Sequence, residues 1–145
     1  AFWRTETTIW LLRNRRYLGL SFALAHTIHL GALTSYFVFI GEMPGMEAVI
    51  GGGLAYALMF VMAATSNDQS VKALGRNWAR LHTVGLHYLW LIFLVTYLGR
   101  LSDGEGGTDA GSLFMVGIVG SGLAFSALAL RLAAAWKRRP HKATV

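Results

Sequence analysis

The chain has 145 residues, of which 54% are hydrophobic and only 14% are charged, whereas about a quarter of the residues are charged in an average soluble domain. A water-soluble fold could not bury so much apolar surface. The formal charge of +6 lies in short clusters beside apolar runs, a distribution typical of membrane orientation rather than of nucleic-acid binding. We therefore expect an integral membrane protein in contact with lipid and without a nucleic-acid partner.

Composition also excludes several kinds of chemistry. Because the chain has no cysteine, it can form no disulfide, iron–sulfur cluster or zinc–thiolate site. Four spans of about 20 residues would use more than half of the chain and leave no room for a nucleotide- or flavin-binding domain. If the protein takes part in an oxidation–reduction reaction, we expect it to be at most the redox subunit of an oxidoreductase.

The first 14 residues are rich in tryptophan and leucine but are too short to span a bilayer. We expect residues 1–14 to lie at the membrane interface. The chain starts with Ala1 and shows no secretory leader pattern, which indicates processing or truncation upstream.

Four apolar runs follow, and none contains a charged residue other than histidine; they are residues 18–40, 48–64, 81–98 and 110–130. Each is close to the length that crosses a hydrocarbon core of about 30 Å, and the connectors between them are short and polar. The pattern predicts an all-α integral membrane four-helix bundle, a single transmembrane domain over residues 1–145. The predicted helices are residues 17–40, 47–66, 80–99 and 110–136.

Lysine and arginine predict the orientation. The amino-terminal segment, the second connector and the carboxyl end share one side and hold 12 of the 13 positive residues, while Arg100 alone is on the other side. By the positive-inside rule, both termini are expected in the cytoplasm.

Small residues are concentrated in the second and fourth runs. Gly120 and Ala124 form a small-xxx-small pair, which allows two helix backbones to approach closely in lipid. Helix packing is the simpler interpretation, although a glycine beside a flat cofactor ring would give the same pattern.

Four histidines lie at membrane depth: His26, His29, His82 and His87. Ionisable residues in a span are costly and usually mark a function. A bis-histidine haem needs one imidazole from each of two helices at similar depth. His26 and His29 lie about 60° apart around a helix, whereas His82 and His87 lie about 140° apart and cannot both face one iron.

The depth of each histidine can be estimated from the basic residue at the start of its run. His26 and His29 are about 15 and 20 Å beyond Arg16, and His82 and His87 are about 3 and 10 Å beyond Arg80. Depth therefore favours His87 over His82. Alternatively, a single histidine could bond a neighbouring helix, and His82 could be hydrated at the interface.

Several short motifs carry a family resemblance; they are Arg15-Arg16-Tyr17-Leu18-Gly19-Leu20 followed by His29, Ala64-Thr65-Ser66-Asn67, Leu74-Gly75, and Asn77-Trp78-Ala79-Arg80-Leu81-His82. Over roughly residues 13–99 the chain resembles the ferric-reductase-like transmembrane domain. That superfamily includes the NADPH oxidase core, metal reductases and the bacterial haem subunit that supplies electrons to periplasmic methionine sulfoxide reductase. The resemblance implies b-type haem between the helices that bear His29 and His82, in the bacterial inner membrane.

The chain also departs from the family pattern. Larger members hold two haems through histidines about 13 residues apart on each helix, but the corresponding positions here are Glu42 and Val95. The missing second pair of histidines implies one haem, and His26 and His87 do not match positions of the family motif. Family members also usually have a further helix before the Arg-Arg segment.

Four arginines near the predicted cytoplasmic helix ends stand where haem propionates could emerge: Arg15, Arg16, Arg76 and Arg80. Bidentate pairing with a carboxylate would suit a guanidinium. Membrane orientation and lipid headgroups are the competing explanation for the same residues.

Three functions are compatible with these features. The first is a haem b electron-transfer subunit that takes electrons from quinol or a flavoprotein partner and passes them across the bilayer, within a larger membrane redox complex. The second is a structural subunit of such a complex that retains the fold without redox function. The third is a small transporter with a histidine proton relay, but no acidic residue lies within the apolar runs to partner the histidines.

Overall fold

The computed structural model describes residues 5–102 and 110–137, which are α-helical and contain no β-strand. In chain order the helices are α1 Glu6–Ile40, α2 Met46–Ala64, α3 Asp68–Leu74, α4 Arg76–Ser102 and α5 Ala110–Lys137. Among them, α1, α2, α4 and α5 are long and apolar enough to cross a membrane. The predicted all-α class and four apolar spans are therefore confirmed, while the single bundle and the cytoplasmic position of the termini stay predictions.

Helix α1 starts much earlier than the predicted residue 17. Thr5 caps its amino terminus, and the side chains and backbones of Thr5 and Thr8 form a reciprocal capping box. Gly41 ends the helix with φ of 72°, a left-handed conformation that glycine adopts without steric cost. At 1.5 Å per residue, its 35 residues measure about 52 Å and exceed a hydrocarbon core of about 30 Å. Residues 6–14 thus continue the first span as helix, and their position at the interface stays a prediction.

The second connector contains a helix that the apolar pattern did not predict. Asn67 caps α3 by accepting a 2.8 Å hydrogen bond from the Ser70 amide. Gly75, at φ of 51°, separates α3 from α4 and lets the chain turn directly into the next helix. The connector between α2 and α4 is therefore largely helical.

Chain contacts divide the described residues into two compact units. In the first unit, Thr5–Ile92, α1 packs against α2, and α2 packs against the first part of α4. Its core consists of small and flexible apolar side chains from these helices: Ala23, Ala55, Met59, Met62 and Leu89. Gly85 allows close approach here, because a Cβ atom at this position would lie 2.5 Å from Met62 Sδ. Tyr88 adds a 3.2 Å hydrogen bond to the Gly51 carbonyl.

In the second unit, the last turns of α4 pack against α5. A Cβ atom at Gly120 would lie 2.4 Å from the ring of Tyr97, and one at Gly117 would lie 2.8 Å from Leu101. Ser121 and Ala124 are buried beside them. Helix packing therefore explains Gly117 and Gly120, as the small-residue pattern predicted. Residues 103–109 and the basic carboxyl end with His141 lie outside the described residues.

Candidate functional site

All four membrane histidines belong to the first unit, two on α1 and two on α4. On α1, His26 lies one turn after the core residue Ala23 and is half-buried, whereas His29 is exposed. The two rings are nevertheless neighbours, with centroids 6.4 Å apart and planes at 75°. His26 also lies against Phe22, with ring centroids 4.0 Å apart. Burial thus favours His26 as the interior histidine of α1, whereas the family motif matches His29.

On α4, the two histidines lie on different sides of the helix. His82 is half-buried and shares a face with Gly85 and Leu89, which pack towards α2. His87 is about 160° from Gly85 around the helix and is exposed. Burial therefore agrees with the motif in favouring His82, and it disagrees with the depth estimate that favoured His87.

Contacts from two neighbouring residues position His82. The indole of Trp78, one turn earlier, stacks on the imidazole with centroids 4.0 Å apart and planes at 26°. The Thr65 hydroxyl lies 3.3 Å from His82 Nε2, and Trp78 Nε1 donates a 2.8 Å hydrogen bond to the Thr65 carbonyl. Thr65 and Trp78 belong to the motifs that carry the family resemblance, but the sequence did not predict that both contact His82. The four-residue spacing of Trp78 and His82 on one helix was the available signal for the ring contact.

Backbone contacts indicate which nitrogen carries the proton in two other histidines. Nδ1 of His26 lies 2.9 Å from the Phe22 carbonyl, and Nδ1 of His87 lies 2.6 Å from the Thr83 carbonyl. Because a carbonyl oxygen only accepts, each Nδ1 must donate, and a neutral ring then has its lone pair on Nε2. This is the arrangement that metal-binding histidines usually adopt. The donor chemistry of His26 and His87 therefore fits axial ligation of haem iron.

Of the four arginines expected near haem propionates, Arg16 and Arg80 are the proposed contacts, and their surroundings differ. Arg16 forms an ion pair with Asp68 at the start of α3, with 2.5 Å between Nη2 and Oδ1, and this pair joins α1 to the connector. Arg80 is exposed on the second turn of α4 and makes no ion pair with any residue in the described ranges. Arg80 is thus available to an external anion, whereas Arg16 already has a carboxylate partner.

No cluster of three or more histidine, cysteine, aspartate or glutamate residues suited to a metal ion occurs within residues 5–102 and 110–137. A haem iron needs only two protein ligands, because the porphyrin supplies the others. Haem ligation by one histidine from each helix therefore stays a prediction.

Comparison with known proteins finds relatives by sequence, whereas no family profile and no solved structure matches the chain. The protein-methionine-sulfoxide reductase heme-binding subunit MsrQ of Klebsiella pneumoniae is 32% identical over 102 residues, covering 59% of this chain and 50% of that protein. The subunit of the same name from Brucella ovis is 37% identical over 89 residues, covering 54% of this chain and 39% of that protein. The chain thus spans half or less of the length of these relatives. Together with the four apolar helices, the similarity indicates an integral membrane protein and confirms the resemblance to the haem subunit of methionine sulfoxide reductase.

Proposed function

We propose that the chain is a membrane-embedded b-type haem subunit that passes electrons from quinol or a flavoprotein partner across the bilayer. The observation that carries this proposal is the similarity to two proteins named as heme-binding subunits of a reductase. The histidines of α1 and α4 support it, because all four belong to one compact unit and lie in helices of membrane-spanning length. One haem held by two imidazoles supplies one-electron chemistry with both axial positions filled.

The axial ligands are proposed to be one histidine from α1 and one from α4. His82 is the first candidate on α4, since both the motif and its burial favour it, and His87 is the reserve. On α1, burial and the Phe22 contact support His26, while the motif supports His29. The histidine of each pair that does not bind iron would then orient its neighbour or tune the site from a distance.

Arg80 and Arg16 are proposed to hold the propionates near the predicted cytoplasmic face. Arg80 is exposed and can offer its guanidinium directly. Arg16 would first have to exchange its ion pair with Asp68 for a propionate. Membership in a larger redox complex of the bacterial inner membrane follows from the same proposal, because the donor and acceptor must be other molecules.

Optical spectroscopy of the purified chain tests this function. Dithionite-reduced minus oxidised spectra should show a low-spin b-type cytochrome, because two imidazoles provide a strong axial field. The chain purified without haem should recover this spectrum when titrated with hemin. A folded chain that carries no haem and takes up none would contradict the proposal and favour the structural-subunit alternative.

A further inference from the structure

The contacts of His82 differ from those of the other membrane histidines. In His26 and His87 the backbone carbonyl of the preceding turn contacts Nδ1, whereas in His82 a side-chain hydroxyl from another helix contacts Nε2. The hydroxyl belongs to Thr65, the residue that caps the carboxyl end of α2. His82 is thus tied across a helix junction through the nitrogen that histidines commonly use to bind metals.

The donors and acceptors around the Thr65 hydroxyl identify the donor in its contact with His82. The hydroxyl oxygen lies 2.7 Å from the Val61 carbonyl and 3.3 Å from the Met62 carbonyl, and both of these can only accept. Thr65 has one hydroxyl proton, and the short contact to Val61 uses it. Thr65 Oγ1 must therefore accept from His82, so Nε2 of His82 is protonated.

Trp78 fixes both partners of this contact at once. Its indole nitrogen donates to the Thr65 carbonyl at 2.8 Å, and its ring stacks on the His82 imidazole with 4.0 Å between centroids and 26° between planes. The backbone of Thr65 and the plane of His82 are therefore set by a single side chain. Each of Thr65, Trp78 and His82 therefore contacts the other two, and these contacts join the end of α2 to α4.

We propose that Thr65 and Trp78 are positioning residues that hold His82 with the proton on Nε2 and the lone pair on Nδ1, the opposite of His26 and His87. The consequence for haem rests on the proposed function. Iron would bind His82 through Nε2 only after the ring proton moved from this nitrogen to Nδ1 and the contact with Thr65 was broken. In that case Thr65 competes with the iron, and removal of its hydroxyl strengthens haem binding.

Nitrogen NMR of the haem-free chain in detergent tests the tautomer directly. With ¹⁵N-labelled histidine at a pH at which the rings are neutral, a protonated nitrogen and a lone-pair nitrogen have well-separated shifts. His82 should show a protonated Nε2, and His26 and His87 should show a protonated Nδ1, with signals assigned by His26→Gln, His82→Gln and His87→Gln variants. A protonated Nδ1 in His82 would overturn the proposal.

Variants at the two positioning residues test whether the Thr65 hydroxyl, rather than the shape of its side chain, sets the tautomer of His82. Thr65→Val keeps the branched side chain but removes the acceptor, so the His82 preference should fall towards an even mixture. Thr65→Ser, which restores the hydroxyl, should keep the protonated Nε2. Trp78→Phe keeps a ring but loses the indole donor, and it should weaken the preference partly. An unchanged His82 tautomer in Thr65→Val would contradict the assignment. If Thr65→Val does not fold, the His82 tautomer in Trp78→Phe is measured instead, and an unchanged tautomer there would also contradict it.

Hemin titration distinguishes failure of this inference from failure of the proposed function. Thr65→Val should bind hemin about three- to tenfold more tightly than Thr65→Ser, the range expected when one competing hydrogen bond is lost. Equal or weaker binding by Thr65→Val would overturn the competition. If the wild-type chain binds no hemin, the proposed function fails, whereas the tautomer measurement still decides the role of Thr65 and Trp78.

Discussion

The two compact units of the chain join their helices by different means. In Thr5–Ile92, methionine and alanine fill the core, and side-chain hydrogen bonds from Tyr88 and Trp78 connect α2 to α4. In the described part of the second unit, Gly117 and Gly120 bring the backbone of α5 close to the side chains of α4. The first unit thus combines close approach at Gly85 with hydrogen bonds between helices and holds the four membrane histidines, whereas glycine-mediated close packing is found in the described part of the second. Redox chemistry is therefore expected to depend on the first unit, and the second is expected to contribute stability.

Replacement of single histidines in the first unit should have the largest effect on haem binding and on the haem spectrum. If His82 binds the iron, His82→Ala leaves one axial imidazole and should give loss of haem or a high-spin spectrum. His87→Ala is the matched control, because it removes an exposed histidine from the same helix and should retain a low-spin spectrum with at most a shifted potential. The measurement is the absorption spectrum of each purified variant at equal protein concentration.

On α1 the corresponding pair is His26→Ala and His29→Ala. Exactly one of the two is expected to be severe, since the iron takes one ligand from this helix. If all four single variants keep a normal low-spin haem, the bis-histidine site does not exist.

Some of these features were predictable from sequence, and others depend on tertiary contacts. Uncharged runs of span length predicted the four long helices, because bilayer thickness fixes the number of apolar residues needed. The early start of α1 was missed, because Arg13, Arg15 and Arg16 suggest a boundary, whereas the Thr5 capping box shows where the helix begins.

The site was predictable only as a set of candidates. His26 and His29 lie about 60° apart, and spacing alone cannot tell which of them faces the core. That difference depends on which face of α1 packs against α2, and Ala23, one turn before His26, is buried in that contact. The ion pair of Arg16 with Asp68 likewise depends on α3, which has no apolar pattern of its own.

Overpacking of the second unit should have a smaller effect, and one that leaves haem binding intact. In Gly120→Ala the new methyl group would overlap the rigid ring of Tyr97, and we expect a loss of about 1–3 kcal/mol in the free energy of unfolding. Gly122→Ala is the matched control, because a Cβ atom there meets no heavy atom within 4 Å. Detergent-induced unfolding followed by circular dichroism measures both variants. Equal stabilities would contradict the close contact, and haem loss from the folded Gly120→Ala protein would contradict the division of roles between the units.

The most direct test of bis-histidine haem binding is electron paramagnetic resonance of the oxidised wild-type protein, combined with a count of haem per chain. If α1 and α4 each supply one histidine, the protein should contain one haem per chain and give a low-spin ferric signal typical of two axial imidazoles. A chain with no haem, or one whose ferric signal is high-spin, would contradict bis-histidine binding.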